Sequence, residues 1–492
     1  MRKRTIFYGV VVLLVVLTGA ITFNTLKARG RQEQAISPAV PVVIDADRAA
    51  QRLSTALRYK TISRREPSSI DSAEFLKLHD HLKASYPLVH QRLKVEKVNT
   101  CSLLYTWEGS EPSLKPVILA AHMDVVDVDP GTLTEWTYPP FSGEIADGII
   151  WGRGARDNKS QMLAILEAVE YLLQQRFQPN RTVILAFGHD EEVLGVNGAS
   201  NIVELLAQRQ VAPECVVDEG GTVRQNAIPG LKGEAALIGI GEKGYLTLEL
   251  TASGRPGHSS SPEEETSIGI LSRAVVKLEK NQFPATLTEV KPMFTYAAGQ
   301  MRFPFNVVFS NLWITGPVVE QILLNDSETA AMLRTTMAPT VINGGFQDNV
   351  IPASARVVVN LRLMPQDDIE SVVERIRQTI NDSRISIKPV GYSNNAPISS
   401  STETKGFKIV SKAIKQVFPT AICVPFFDTG GTDSKHYARL TPNLYRFTPS
   451  IKARDEEGHG INERIPVENY LQYINFYINL IKDFQVDDPA TF

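Results

Sequence analysis

The sequence predicts an α/β protein in which a mainly parallel, mixed sheet is covered by helices and carries an inserted α+β unit. Three runs are apolar at every position, PVILAA (116–121), TVILAF (182–187) and ECVV (214–217), which is typical of strands buried on both faces. A helical period fills residues 160–176 between the first two runs, and this alternation favours parallel strands. From residue 244 the pattern changes to GYLTLELT, the alternation of a half-exposed strand.

The domain organisation follows from these changes of pattern. Residues 1–27 form a basic tip and an apolar segment, and residues 28–42 form a polar linker with two prolines. The main domain is predicted over residues 43–237 and 366–492. The inserted unit is predicted over residues 238–365.

The N-terminal segment predicts export of the body of the protein. No charged residue occurs between Arg4 and Lys27, and about 20 apolar residues suffice to cross a hydrocarbon core of ~30 Å. The basic cluster at residues 2–4 should stay in the cytoplasm, so that the body lies outside it, in a periplasmic, vacuolar or extracellular space. A retained membrane anchor is the preferred interpretation. The alternative is a signal peptide cleaved near residues 18–20, which would make the protein secreted.

Composition excludes several classes of protein. The chain has 492 residues, with 51 Lys and Arg against 54 Asp and Glu, so its net charge of −3 gives no reason to expect a nucleic-acid partner. Three cysteines exclude a disulfide scaffold and a zinc site made of four thiolates.

Acidic residues and histidines follow the predicted strands, where parallel sheets place their ligands. His122 and Asp124 come after the first strand and point the same way on an extended segment, so Asp124 can fix the tautomer of His122. Asp157 lies in a glycine-containing loop before a helix. Carboxylates crowded in this way repel one another unless a cation holds them, and imidazole with carboxylate suits zinc or a similar divalent ion.

Six phrases occur in order along residues 45–485: AHMDVV, GRGARDNKSQM, GHDEEVLGVNGA, VVDEGG, GRPGHSS and GHGINERI. As a set they resemble the co-catalytic zinc amidohydrolases, which include aminoacylase and the carboxypeptidase G type. Longer phrases, such as PPFSGEIADGIIWGRG, are most similar to the branch of the Gly-Xaa carboxypeptidase and the secreted N-fatty-acyl-amino-acid synthase/hydrolase.

The resemblance implies two zinc ions per subunit, with Co²⁺ or Mn²⁺ as substitutes. His122, Asp157 and Asp218 would hold one ion. Glu192, His459 and the same Asp157 would hold the other, so that Asp157 bridges the pair.

The resemblance also implies catalytic roles. Asp124 would orient His122, and Glu191 would be the general base that activates water. The peptide bond after Asp157 would be cis. The inserted unit would be a lid and dimerisation domain, so a homodimer is expected, and His258 would donate to the oxyanion, often from the partner subunit.

Substrate recognition is implied at three positions. Arg362 would bind the substrate carboxylate, because a planar guanidinium suits that task. Asn349 and Gly431 fall on binding loops. Ala338 stands where carboxypeptidase G-type members carry a substrate-binding Asn, so a glutamate-specific pocket is not expected.

The leading hypothesis is therefore a hydrolase of amide bonds next to a free carboxylate, acting on small peptides or N-acyl amino acids. The same site could run in reverse as an N-fatty-acyl-amino-acid synthase. A non-catalytic receptor on a peptidase fold and an aminopeptidase are competing hypotheses. The aromatic stretch FPFNVVFSNLWI (303–314) is interpreted either as lid core or as an apolar wall of the cleft, and the second interpretation is preferred.

Overall fold

The computed structural model of this chain describes residues 2–30, 42–66, 69–451 and 458–485. The strands are β1 Lys94–Val98, β2 Ser102–Trp107, β3 Val117–His122, β4 Glu144–Ala146, β5 Ile149–Trp151, β6 Val183–Gly188, β7 Cys215–Gln225, β8 Glu234–Glu242, β9 Gly244–Ser253, β10 Gly257–His258, β11 Thr336–Gly344, β12 Val350–Ile351, β13 Ser354–Leu363, β14 Ile385–Pro389, β15 Ile422–Asp428, β16 Leu444–Ile451 and β17 Arg464–Pro466. The helices are α1 Arg2–Gly30, α2 Ala46–Leu57, α3 Ser72–Ser85, α4 Pro87–Arg92, α5 Lys159–Gln174, α6 Ala199–Gln208, α7 Ser267–Lys280, α8 Lys291–Ala297, α9 Phe305–Ser310, α10 Leu312–Leu323, α11 Ser327–Ala331, α12 Ile369–Ile380, α13 Lys405–Val417, α14 Ser434–Tyr437 and α15 Val467–Asp483.

An eight-stranded sheet in the order β1-β2-β6-β3-β7-β16-β8-β15 forms the centre of the main domain. Its middle is parallel, since β3 pairs in parallel with β6 and β7, and β7 pairs in parallel with β16. At one edge, β15 also pairs in parallel with β8. Along β3, Leu119 and Ala121 join the core beneath α5 and α15, whereas Ile118 and Ala120 join the core beneath α6. Both faces are therefore covered, which explains why the run is apolar at every position.

The lid is a second, four-stranded antiparallel sheet in the order β11-β13-β9-β14, packed against α7 and α12 around its own core. The predicted boundaries of the inserted unit, 238 and 365, differ from the observed ones. β8 belongs to the central sheet, and β14 pairs with β9 of the lid. Only Lys243 separates β8 from β9, so no linker in the sequence marks the point where the chain changes sheet.

In the sequence, the helices α8 to α11 lie within the inserted unit. In the folded protein, they pack against the central sheet rather than against the lid sheet. Their apolar side chains share a core with Ala235, Leu237 and Val424 of the central sheet. We call α8 to α11 the helical group. The stretch 303–314 forms α9 and the start of α10 in this group, and therefore does not belong to the lid sheet.

The N-terminal helix α1 contains a candidate membrane span, Arg4–Arg29, which is long and apolar enough to cross a bilayer and is exposed along its apolar window. Its C-terminal end contacts the helical group, where Asn24 Nδ2 donates to Asn311 Oδ1 at 3.1 Å. The predicted linker begins inside this helix, which continues to Gly30. The rest of that linker falls mainly on residues 31–41, outside the described residues.

Candidate active site

Several predicted site residues meet at the carboxyl edge of the central sheet. β3 ends at His122, and the neighbouring strand β6 ends just before the loop that carries Glu191 and Glu192. β7 supplies a third set of acidic side chains, Asp218 and Glu219. Because these three strands are adjacent and parallel, their side chains gather at one place.

The first candidate ligand group consists of His122, Asp157 and Glu219. His122 Nε2 lies 3.0 Å from Asp157 Oδ1 and 3.2 Å from Glu219 Oε1. Their ligand atoms all lie within 4.8 Å of one another. One imidazole with two carboxylates at this spacing fits a divalent metal ion.

The second candidate ligand group uses the other oxygen of the same aspartate. His459 Nε2 lies 3.1 Å from Asp157 Oδ2 and 2.9 Å from Glu192 Oε2. Asp157 thus faces one histidine with each carboxylate oxygen, as a bridging ligand would. The peptide bond between Asp157 and Asn158 is cis, as the resemblance implies.

Asp218 is not the residue that the structure places beside His122. That position belongs to Glu219, since successive residues of a strand point to opposite sides. Asp218 Oδ1 accepts the backbone N–H of Glu219 at 2.9 Å, and its Oδ2 has no hydrogen-bond partner among the described residues. The sequence offers two consecutive acids after a buried run, and the pattern alone does not show which one faces the edge.

Asp124 holds two parts of the site at once. His122 Nδ1 lies 3.0 Å from the backbone oxygen of Asp124 and 3.3 Å from its Oδ1. The carboxylate of Asp124 also accepts the backbone N–H groups of Glu191 and Glu192, each at 3.1 Å. Burial acts to raise the pKa of Asp124, but the hydrogen bond and charge of His122, together with hydrogen bonds from Ser63 and Glu192, lower the pKa overall. This buried carboxylate therefore orients both the imidazole and the glutamate loop.

Glu463 is a functional residue that the sequence reasoning missed. It is buried and acts as the acceptor for the loop that carries Asp157. It accepts four hydrogen bonds, from Arg153 Nη1 at 2.6 Å and from the backbone N–H groups of Gly154 at 3.1 Å, Arg156 at 2.8 Å and Asp157 at 3.1 Å. The signal was available in GHGINERI, where an acidic residue stands four positions after the histidine. Glu463 is a positioning residue that joins the two ligand loops.

The charges of the site are strongly coupled. Burial acts to raise the pKa of Asp157, but the hydrogen bonds and charges of His122 and His459 together lower the pKa overall. Hydrogen bonds to Asp157 and Glu192 raise the pKa of His459 to about 10. Burial raises the pKa of Glu219 to about 7. In the absence of a cation, protons must hold these groups together, and a divalent ion can take the place of those protons.

Glu191 lies next to a candidate ligand but is in neither ligand group among the described residues. It lines the cleft beside the two groups. Burial raises its pKa well above the usual range, while the charge of His122 acts in the opposite direction.

The cleft in front of these groups has a volume of about 460 Å³ and is lined by both acidic and basic side chains. One wall holds the acidic ligand groups. Lys243 and Arg362 stand in the other wall, together with Gly431, and the guanidinium of Arg362 lies 4.8 Å from the ring centre of Tyr245. Burial, followed by the charges of Arg362 and Arg334, lowers the pKa of Lys243 to about 7.

Two predicted residues are not brought to this cleft within one chain. Among the described residues that line the cleft, neither His258 nor Asn349 is present. They are neighbours on the lid, where Ser259 N donates to Asn349 O at 3.2 Å and β10 pairs with β12. A role for His258 in the site of a second subunit stays a prediction.

The aromatic stretch 303–314 does not form the expected apolar wall. The described lining of the cleft contains no residue from it. Phe309 is buried in the core of the helical group, and Phe303 and Trp313 are exposed on its outer surface.

Comparison with known proteins identifies the family. The sequence profile of peptidase family M20/M25/M40 matches residues 118–483. The chain belongs to this family. The fold class and the enzyme class predicted from the sequence are thereby confirmed.

Named relatives cover nearly the whole of this M20 chain. It is 38% identical over 493 residues to a probable carboxypeptidase S-like protein of Dictyostelium discoideum. The match spans 98% of this chain and 93% of the relative. It is also 38% identical to an N-fatty-acyl-amino acid synthase/hydrolase of Mus musculus, over 92% of each chain. Carboxypeptidase S of Saccharomyces cerevisiae is 32% identical, over 88% of this chain and 83% of its own length.

Solved structures share the fold. An M20 family metallo-carboxypeptidase from Sulfolobus solfataricus superposes with a TM-score of 0.65 at 19% identity, covering 89% of this chain and 99% of its own. A dinuclear metal-binding peptidase of the M20 family from Bacillus subtilis superposes with a TM-score of 0.54 at 13% identity, covering 90% of this chain and 100% of its own.

The two acidic residues on β7 can be told apart by metal analysis. We expect Glu219→Gln to lose about one metal ion per chain and Asp218→Asn to retain both, because only Glu219 contacts His122. Asp157→Asn should lose both ions, since it faces each histidine. Metal content after gel filtration measures this, and the two amide variants on adjacent residues serve as controls for each other. Loss of metal from Asp218→Asn with full occupancy in Glu219→Gln would contradict the assignment.

Proposed function

We propose that this M20 enzyme hydrolyses amide bonds next to a free carboxylate, in small peptides or N-acyl amino acids, with two zinc ions. The observation that carries the proposal is the cleft itself. A pair of ligand groups sharing Asp157 faces a basic wall that contains Lys243 and Arg362. The carboxypeptidase S relatives support the same reaction class.

The donor set fits the metal ions. One ion would be held by His122, Asp157 and Glu219, and the other by Asp157, Glu192 and His459. Imidazole and carboxylate without thiolate suit zinc, and Co²⁺ or Mn²⁺ would serve as substitutes. When bound, such ions supply Lewis acidity at the scissile carbonyl and lower the pKa of water.

Glu191 is the general base in this proposal. Its backbone N–H is held by Asp124, and its side chain lines the cleft next to the ligand groups without belonging to them. The carboxylate would accept a proton from the attacking water and deliver it to the leaving nitrogen.

The basic wall would receive the substrate carboxylate. Arg362 is fixed against the ring of Tyr245, so its planar fork is already oriented toward the cleft. Lys243 Nζ is held by the backbone oxygen of Arg334 at 2.8 Å. This pair would select substrates with a free carboxylate over aminopeptidase substrates, which need a site for an amine.

A second cavity favours N-acyl amino acids with long acyl groups, including the reversible synthase and hydrolase reaction. It has a volume of about 730 Å³ and shares Gly220, Arg224 and Asp428 with the cleft. Its apolar lining includes Ile228, Leu237, Val290, Met293, Phe294, Leu323, Met332, Leu333 and Phe426. An acyl chain entering from the metal centre would be removed from water there. The mouse N-fatty-acyl-amino acid relative supports this candidate.

The proposal includes the place of the enzyme. The apolar helix α1 would be retained as an anchor, with the basic tip in the cytoplasm and the body on the other side of the membrane. Cleavage near residues 18–20 would instead release the enzyme from the membrane.

The role of Glu191 is tested by Glu191→Gln. We expect kcat to fall roughly 10²–10⁴-fold, because the amide cannot accept a proton. Metal content should stay at the wild-type value, since Glu191 belongs to neither ligand group. Parallel kinetics and metal analysis measure this. A variant that loses metal together with activity would show that Glu191 and Glu192 have been assigned the wrong way round.

The role of Lys243 is tested by pH. Its pKa of about 7 in the free enzyme means that its charge is present below pH 7 and is lost as the pH rises. We therefore expect kcat/KM for a substrate with a free carboxylate to decline above pH 7, and Lys243→Met to lower kcat/KM and remove that decline. The control is the same substrate with its carboxylate converted to an amide. Its kcat/KM should show no decline above pH 7 that depends on Lys243. An unchanged profile in Lys243→Met would exclude this role.

The acyl cavity is tested with N-acylphenylalanines of increasing chain length. Each buried CH₂ contributes about 0.8 kcal/mol, so kcat/KM should rise about fourfold per methylene until the cavity is filled. Met332→Trp should flatten the rise while leaving the N-acetyl substrate unaffected. Met337→Trp, on lid strand β11, is the matched control and should keep the rise. A flat wild-type series would rule out the cavity as an acyl site without affecting the hydrolase.

A further inference from the structure

Helix α10 presents an apolar face to the outside. Six of its residues are exposed on one side, and five of the six are apolar. Trp313, Val318 and Ile322 are 57%, 64% and 61% exposed. Contiguous apolar surface of this kind marks an interaction site rather than an ordinary solvated surface. The six residues are Trp313, Ile314, Pro317, Val318, Gln321 and Ile322.

The surrounding surface shares this character. Phe303, in the loop before α9, is 80% exposed. Arg302, next to it, is an exposed basic residue, and Glu320, which is half-buried, is the single acidic residue of α10. A largely apolar surface with a basic neighbour suits the interface of a membrane with anionic headgroups. We call Phe303 together with the six α10 residues the apolar face.

The apolar face lies where α1 leaves the body. Asn311, which precedes α10, donates through Nδ2 to Ile21 O at 3.4 Å and lies 3.3 Å from Thr25 Oγ1. Trp313 Nε1 donates to Asn311 Oδ1 at 3.2 Å. The exposed indole is therefore level with residues 21–25 of α1.

That level matches the expected surface of a bilayer. Residues 4–20 of α1 extend beyond the body, and at 1.5 Å per residue they cover about 25 Å, close to the hydrocarbon thickness of a bilayer. Lys27 and Arg29 follow on the body side, at headgroup depth. A tryptophan with its ring exposed and its N–H bonded is typical of this interfacial layer.

We propose that the apolar face lies in the interfacial layer of the membrane that α1 enters, so that the body contacts the bilayer directly through α10. The inference rests on the anchor role of α1 proposed above and is independent of the reaction catalysed. The occupant of the face is lipid. A second copy of this chain is the competing occupant, and the experiment distinguishes it.

The experiment uses the full chain in liposomes of phosphatidylcholine and phosphatidylglycerol. Cys101, Cys215 and Cys423 are buried, so a thiol-reactive, environment-sensitive dye should label an introduced exposed cysteine. Val318→Cys reports on the apolar face. Val276→Cys on lid helix α7, where Val276 is 46% exposed, is the matched control.

We expect the dye at position 318 to shift its emission to the blue on reconstitution and to be quenched by brominated lipids, and the dye at position 276 to do neither. In unlabelled protein, Trp313→Phe should remove the tryptophan emission that brominated lipid quenches. Water-like emission at both positions in liposome-bound protein would overturn the inference and leave the anchor intact. A blue shift at position 318 that grows with protein concentration in detergent would assign the face to a second copy and also overturn it. Failure to co-sediment with liposomes would overturn the anchor and the inference together.

Discussion

Repulsion among the crowded carboxylates at the carboxyl edge of the central sheet is the constraint on which the site depends. Asp157 faces His122 with one oxygen and His459 with the other, while Glu192 and Glu219 close the two groups. Such a cluster is held together only by protons or by cations. Two further buried carboxylates, Asp124 and Glu463, are in neither ligand group and accept backbone N–H groups of the loops that carry the ligands. They keep the ligand loops in place against the repulsion.

The two walls of the cleft come from different parts of the fold. The acidic wall is built on the strands and loops of the main domain, whereas Arg362 stands on β13 of the lid. Lys243 is the single residue between β8 of the central sheet and β9 of the lid. Its position joins the two units, so the placement of the lid sets the distance between the basic wall and the ligand groups.

The helical group carries apolar surface on two sides. On the inside, Met293, Phe294 and Leu323 line the cavity that adjoins the cleft. On the outside, α10 presents Trp313 and Val318. This arrangement places the proposed acyl site one helix away from the proposed membrane contact, which suits an enzyme whose substrates partition into lipid.

The sequence by itself determined the local features. Continuously apolar runs predicted buried parallel strands, and His122 and the acidic residues near Glu192 follow two of them. The resemblance of the motifs to a known family supplied Asp157 and His459, which lie in glycine-containing loops. Tertiary structure decided the rest. Glu219, rather than Asp218, lies beside His122, because the pleat of β7 determines which of two neighbouring residues faces the edge.

Other features of the site and the fold depend on contacts between residues that are distant in the sequence. Glu463 supports a loop about three hundred positions away, and no local pattern reports such a contact. The predicted start of the lid was misplaced because only Lys243 separates the last residue of the central sheet from the first residue of the lid sheet. The stretch 303–314 is rich in aromatic and aliphatic residues, so its pattern could not distinguish a wall of the cleft from a core with an exposed outer face. Packing against the central sheet and α1 determines its position.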